Sequence, residues 1–184
     1  MFLIRCSFAV ALLLSTALAS RAGAAEILSL DAENSKIEFV GRKSDGKHVG
    51  GFKQFKVRAL ADLEDPSAGR LEVEIDARSL WSDNTKLTNH LKNPDFFDVR
   101  KYPKIVFKST AVHAADEQRA EITGQLTMLD ETAELTIPCE VELTDEAIEL
   151  TTQFKLDRTR WGMNYRADSI DKEVEVTAKI VLKR

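Results

Sequence analysis

The groups best equipped for chemistry in this sequence are three histidines (His48, His90 and His113), one cysteine beyond the amino-terminal segment (Cys139), and a large supply of carboxylates. Their spacing decides what they can do. His90 with Asp95 or Asp98 brings metal-ligating types close in sequence. That spacing carries no ligand logic of the kind seen in zinc sites. The chain contains no His-Glu-x-x-His, Cys-x-x-Cys or Gly-x-Ser-x-Gly, and no glycine loop able to cradle phosphate. Most carboxylates alternate with apolar residues, which places them on a solvent face. The reading is therefore of a protein that is not an enzyme, with no catalytic residue, no metal and no cofactor.

The elements that must position any site read as strands. Ile37 and Phe39 share a phase, as do Phe55, Val57, Ala59 and Ala61, and then Leu71, Val73, Ile75 and Ala77. Ile105 with Phe107 opens a fourth run. Ile122, Gly124, Leu126 and Met128 form a fifth, and Leu135, Ile137, Cys139, Val141 and Leu143 a sixth. Ile148, Leu150, Phe154 and Leu156 precede a last run of Val174, Val176, Ala178, Ile180 and Leu182. Period-two alternation predicts strands with one dry and one wet face. The short links, such as Asp65–Gly69 and Asp130-Glu131, predict antiparallel neighbours in sequence order. Eight such strands must bury their apolar face by closing into a barrel or stacking as a sandwich, and closure also removes exposed edges. Inward positions held by Ala59, Ala61, Ala77, Gly124, Thr152 and Ala178 leave volume inside, so an all-β barrel able to hold one ligand is expected.

Two segments break the alternation. In 82–99, Ser82 or Asp83 is expected to cap a short helix carrying Leu87 and Leu91 on one face, ended by Pro94. Phe96 and Phe97 follow it, one expected to plug a barrel mouth and one to face a ligand entrance. This insertion lies between the third and fourth strands. In 157–165, Trp161 and Tyr165 suit a wet–dry boundary, Gly162 supplies an unusual backbone angle, and Arg158 is expected to pair with Asp157 or another rim carboxylate.

Residues 1–24 read as an export signal: Arg5 near the start, an apolar run from Ser7 to Ala19, then Ala22-Gly23-Ala24 as a cleavage site. The run is shorter than the ~20 residues that span a bilayer. Removing Arg5 and Arg21 from 26 basic residues leaves 24 against 30 acidic, a net charge of −6 on residues 25–184. The charges are interspersed, which argues against nucleic acid as a partner. The mature domain is expected to be soluble, and periplasmic or secreted. Cys6 leaves with the signal, so Cys139 has no partner within the chain and fits a small buried apolar group better than a nucleophile. The oligomeric state stays open, a homodimer included.

The chain resembles the YceI-like family of polyisoprenoid-binding, lipocalin-like barrels. The resemblance rests on Asn34–Phe39, Gly51–Phe55, Asn89–Val99, Tyr102-Pro103 with Phe107–Thr110, Thr123–Met128, and Asp157-Arg158 with Trp161–Met163, in that order. Two stretches depart from it: Leu129–Glu134 loses a glycine and a basic residue, and Gly41–His48 is more polar than the family pattern. The resemblance implies an eight-stranded antiparallel lipocalin-like barrel over 25–184, enclosing an isoprenoid, a quinone or another long-chain amphiphile for transport, storage or sequestration. The expected lining residues are Phe39, Phe55, Val57, Val73, Ile75, Phe97, Phe107, Leu126, Met128, Ile137, Val141, Phe154 and Trp161. Lys108, Arg158, Arg160 and Tyr165 are candidates to meet a head group. Two rivals remain: a packed structural or protein-binding β-domain, and a hydrolase or isomerase acting on a lipid inside the barrel.

Overall fold

A computed structural model of the protein describes residues 25–44 and 46–184; the expected export signal at 1–24 lies outside the described residues. The strands are β1 (Glu26–Leu30), β2 (Lys36–Lys43), β3 (Gly46–Phe52), β4 (Phe55–Ala61), β5 (Arg70–Asp76), β6 (Leu80–Ser82), β7 (Lys104–Ala114), β8 (Arg119–Met128), β9 (Glu131–Leu143), β10 (Ala147–Asp157) and β11 (Glu173–Lys183). One helix, α1 (Thr85–Leu91), sits between β6 and β7.

These segments make eight long strands, because the first three are bent. β1 and β2 both pair antiparallel with β11, Leu30 against Leu182 and Ile37 against Ala178, so they form one strand interrupted at 31–35. β3 pairs with β2 and β4 with β1, and β6 and β5 pair with β3 and β4 in turn. From β5 the pairing runs through β7, β8, β9 and β10 to β11, which meets β1 and closes the barrel. Every neighbour is antiparallel, as short links require. The bend in the third strand is a 3-10 turn at Ala77–Ser79. It is tied to the bend in the second strand by Lys53 N–H donating to the Ser79 carbonyl and Gln54 N–H donating to Ser79 Oγ.

The first bend is held electrostatically. The Asp31 carboxylate accepts from Lys183 Nζ at 2.9 Å and from Asn34 Nδ2 at 2.9 Å. The Lys183 bond is the larger reason its pKa is lowered from the ordinary 3.8 to about 2. A carboxyl whose folded pKa lies below its unfolded value adds stability that is present above the unfolded pKa and is lost as pH falls through the folded one. Melting temperatures of wild type and Asp31→Asn should therefore differ at pH 5 and converge between pH 3.8 and about 2. A constant offset across that window would remove Asp31 as the titrating group.

The β8–β9 hairpin turns on Leu129 (φ +54°) and Asp130 (φ +69°), two side-chain-bearing residues in the left-handed region. A two-residue hairpin with both φ positive is the arrangement that favours Asn-Gly. Asp130→Gly should raise stability by roughly 0.5–1 kcal/mol, relief of left-handed strain outweighing the entropy of glycine. Thermal unfolding should register a gain of about 1–3 °C.

The helix begins one residue later than expected. Asn84 is its cap, its side chain accepting from Leu87 N–H, while Asp83 is drawn off to accept from His48 Nδ1 and Val49 N–H. Ser82 instead donates through Oγ to the Asn84 carbonyl. Leu87 and Leu91 do share a face, and it is turned toward the barrel interior.

Candidate functional site

The dry faces of the strands enclose a cavity of about 600 Å³. Its wall is built strand by strand from the inward phase: Ile37 and Phe39 of β2, Val73 and Ile75 of β5, Ile105 and Phe107 of β7, Leu126 and Met128 of β8, Leu135 and Ile137 of β9, Phe154 and Leu156 of β10, Val176 and Ile180 of β11. Leu87 and Leu91 of α1 cover it from one side. Phe39, Phe52 and Phe97 cluster inside with ring centroids 5.7–6.2 Å apart. Space persists because bulky rings fold against glycines. A Cβ built on Gly50 would meet the Phe39 ring at 2.5 Å, and one on Gly124 would meet the Phe107 ring at 2.6 Å. Hydrogen at these two positions lets each ring lie along the wall.

One end of this cavity is a polar mouth, formed by the β2–β3 hairpin, α1 and the loop 162–172. Arg42, Lys43, His48, His90 and Arg166 stand around it, with Asp171 as a carboxylate in the loop. Arg42 contacts Glu175 at 3.3 Å, His48 contacts Asp83 at 2.9 Å and His90 contacts Asp95 at 2.8 Å. Hydrogen bonds from Val49 N–H and, secondarily, His48 keep the Asp83 carboxyl below its usual range. His90, Phe96 and Tyr165 form an aromatic triangle with centroids 5.1–5.2 Å apart, bridging the helix to the 162–172 loop. Among the described residues, no three or more His, Cys, Asp or Glu side chains gather as a metal site.

The loop is organised by Arg158, whose exposure is 3%. Its Nε donates to the Asp171 carbonyl at 3.1 Å and its Nη2 to those of Tyr165 and Ile170 at 3.1 Å, while Nη1 donates to that of Met163. The expected Asp157 partner is otherwise engaged: its carboxylate caps the 3-10 turn at Arg158–Trp161 by accepting from Thr159 N–H and Oγ. Gly162 follows at φ +75°, as its place in the sequence suggested. Burial lowers the Arg158 pKa from its usual value, yet a guanidinium stays protonated in a protein. A buried cation held by carbonyls alone keeps its net charge beside the cavity wall.

Of the residues expected to line a ligand chamber, Phe39, Val73, Ile75, Phe97, Phe107, Leu126, Met128, Ile137 and Phe154 lie on the wall of this cavity. Four do not. Trp161 is fully buried at the end of the 3-10 turn Arg158–Trp161, where Nε1 donates to the Leu126 carbonyl at 2.8 Å; its polar handle is used internally. Phe55 and Val57 point inward but are packed into the core beside their β5 partners, Ile75 and Val73. Val141 lines a second cavity, of 1310 Å³, at the opposite end of the barrel.

Of the head-group candidates, Arg158 and Tyr165 line the mouth cavity. Lys108 stands on the outer wall, exposed, with Nζ 3.9 Å from Glu72, because it alternates with inward Phe107. Arg160 lies over the Trp161 ring and donates to the Glu134 carbonyl at 3.0 Å. Sequence reasoning named His48 and His90 without assigning them to a head-group site, and it passed over Arg166. The unusually polar stretch Gly41–His48 was the available signal. Cys139 is buried on the cavity wall, where desolvation pushes its thiol up to about 11. At neutral pH such a thiol is not a nucleophile.

Comparison with known proteins agrees with this architecture. A UPF0312 protein of Pseudomonas putida (strain GB-1) is 40% identical over 79 residues, which are 43% of this chain and 41% of that relative's length. The crystal structure of Burkholderia cenocepacia BcnA superposes with a TM-score of 0.79 at 21% identity, covering 83% of this chain and 99% of that one. A polyisoprenoid binding domain from Saccharophagus degradans, implicated in plant cell wall breakdown, gives 0.69 at 14% identity, covering 85% and 97%. At these identities the two structures speak to the fold. The YceI-like domain pattern matches residues 28–182, and with it the chain belongs to the YceI-like family.

Proposed function

We infer that this protein is an exported binding protein that encloses a long-chain isoprenoid or similar amphiphile, with an anionic or quinone head at the polar mouth. The observation that carries the reading is an apolar cavity within a closed barrel, rimmed at one end by Arg42, His48, His90 and Arg166. At about 30 Å³ per non-hydrogen atom, 600 Å³ takes roughly twenty carbons. Burying them is worth about 0.8 kcal/mol per methylene, roughly 16 kcal/mol in all, against an association cost of about 4–15 kcal/mol. Hydrogen bonds are not needed for that balance to be favourable. Arg166 at the rim and the retained charge of Arg158 favour a negative or electron-rich head, and the polyisoprenoid-binding description of the Saccharophagus degradans domain supports the chain class. The cavity supplies a dry container rather than a reacting centre, so binding without catalysis is the role proposed, in the periplasm or outside the cell.

Native mass spectrometry of residues 25–184, followed by extraction and identification of released lipid, tests the reading. A stoichiometric long-chain isoprenoid is the expected result. Protein that emerges empty and also refuses added quinones and isoprenyl phosphates would point instead to a structural β-domain.

A further inference from the structure

The second cavity opens at the other end of the barrel, beside the 62–70 loop and the β7–β8 and β9–β10 hairpins. It shares part of its wall with the first. Leu71, Ile122 and Leu150 line both. They come from β5, β8 and β10, three strands spaced around the barrel, and together they form a waist between two coaxial chambers. Gly124 sits one inward position from Ile122 on β8, and its lack of a side chain keeps the Phe107 ring against the wall beside this waist.

We propose that the waist is a length gauge for the bound chain, an inference that rests on the binding function above. The mouth chamber has room for roughly twenty carbons. A chain of that size is held there entirely, with its head at the mouth. A longer chain has no space left in the mouth chamber, and its tail passes between Leu71, Ile122 and Leu150 into the second chamber. Apolar side chains continue along that route, including Leu28, Val112 and Ile148, before charged residues such as Arg119 and Glu142 at the open end. The occupant of the second cavity is thus the distal part of the same ligand, and the side chains at the waist set which lengths bind.

The test uses two alcohols delivered from detergent micelles: geranylgeraniol, whose chain matches the mouth chamber, and solanesol, whose chain is more than twice as long. Wild type should retain both in native mass spectra and in competition titrations. Ile122→Phe and Leu150→Phe, each narrowing the waist from a different strand, touch both cavities, so the readout is the ratio: solanesol affinity should fall at least about tenfold more than geranylgeraniol affinity. Retained geranylgeraniol binding shows in the same experiment that the variant is folded. Should one substitution prevent folding, the other decides. Undiminished solanesol binding in a variant that holds geranylgeraniol overturns the gauge, as does wild type that takes the short alcohol and refuses the long one. Wild type that binds neither brings down the binding function itself, and the gauge with it.

Discussion

Arg158→Met should lower stability by about 3–5 kcal/mol, because four carbonyls lose a charged donor at about 1–3 kcal/mol for each acceptor left buried, less what water recovers. Methionine fills much of the volume but donates nothing, so the carbonyls of Met163, Tyr165, Ile170 and Asp171 lose their partner together. These four carbonyls belong to the stretch that forms one side of the mouth, which is otherwise tied to the barrel by contacts such as Asp171 N–H on the Arg42 carbonyl and the Lys43–Ile170 bridge. Thermal unfolding should shift down by roughly 6–20 °C, and hydrogen exchange should rise first at 162–172. Arg158→Lys should recover little, since an ammonium cannot reach four acceptors in the fork geometry of a guanidinium. A shift within a few degrees for methionine would mean that the carbonyls find water without cost, and the loop would then be held by its aromatic triangle.

The second large effect concerns binding. Ile137→Glu places a carboxyl on the wall of the mouth cavity, whereas Thr136→Glu, one residue away, places it on the outer face where Thr136 is exposed. An unpaired carboxylate facing an apolar ligand either stays ionised and keeps water in the cavity or is protonated at a raised pKa; both cost several kcal/mol. Lipid affinity should fall by at least about a hundredfold, ~2.7 kcal/mol, in Ile137→Glu and change by less than about threefold in Thr136→Glu. The check is the fraction of lipid-loaded protein in native mass spectra, with melting curves for both. Equal losses would mean that the inward phase of β9 is misassigned. Val73→Glu, on the opposing β5, should repeat the result.

These contrasts depend on an alternation that is plain in the sequence for eight runs, and those runs are the barrel staves. What the sequence hid were extensions of the first three. β1 carries apolar residues on both faces, with Ile27 85% exposed beside buried Leu28, so its phase is blurred. β3 shows no alternation because Gly50 is covered by the ring of Phe39 from β2, and burial there is supplied by a neighbour's side chain. β6 has three residues, too few to show a period.

At the site, period two located the wall but not the free space. Phe55 and Val57 share the correct phase with Val73, and only packing distinguishes them. Trp161 was read as a boundary residue from its chemistry. Its Nε1 found an internal acceptor on β8, 35 positions away in sequence, which no local pattern could reveal. The same holds for Arg158, whose acceptors are backbone carbonyls and leave no trace in side-chain identity.

The closure of the barrel by its first and last strands governs the order in which the molecule can form. Leu30 lies opposite Leu182, and Arg184 contacts Glu26 at 3.0 Å. β11 also supplies the partner for β2 and the whole length of β10. Until β11 is available, the facing edges of β1, β2 and β10 have nothing to pair with. Hairpins from β7 to β10 can zip early from local contacts, but the ring waits for the largest loop closure the chain offers, which places folding in the slow regime of non-local β proteins. During that interval the interior is an open apolar trough, and a lipid laid into it before β11 arrives would be enclosed as the wall is completed, without passing through the finished mouth.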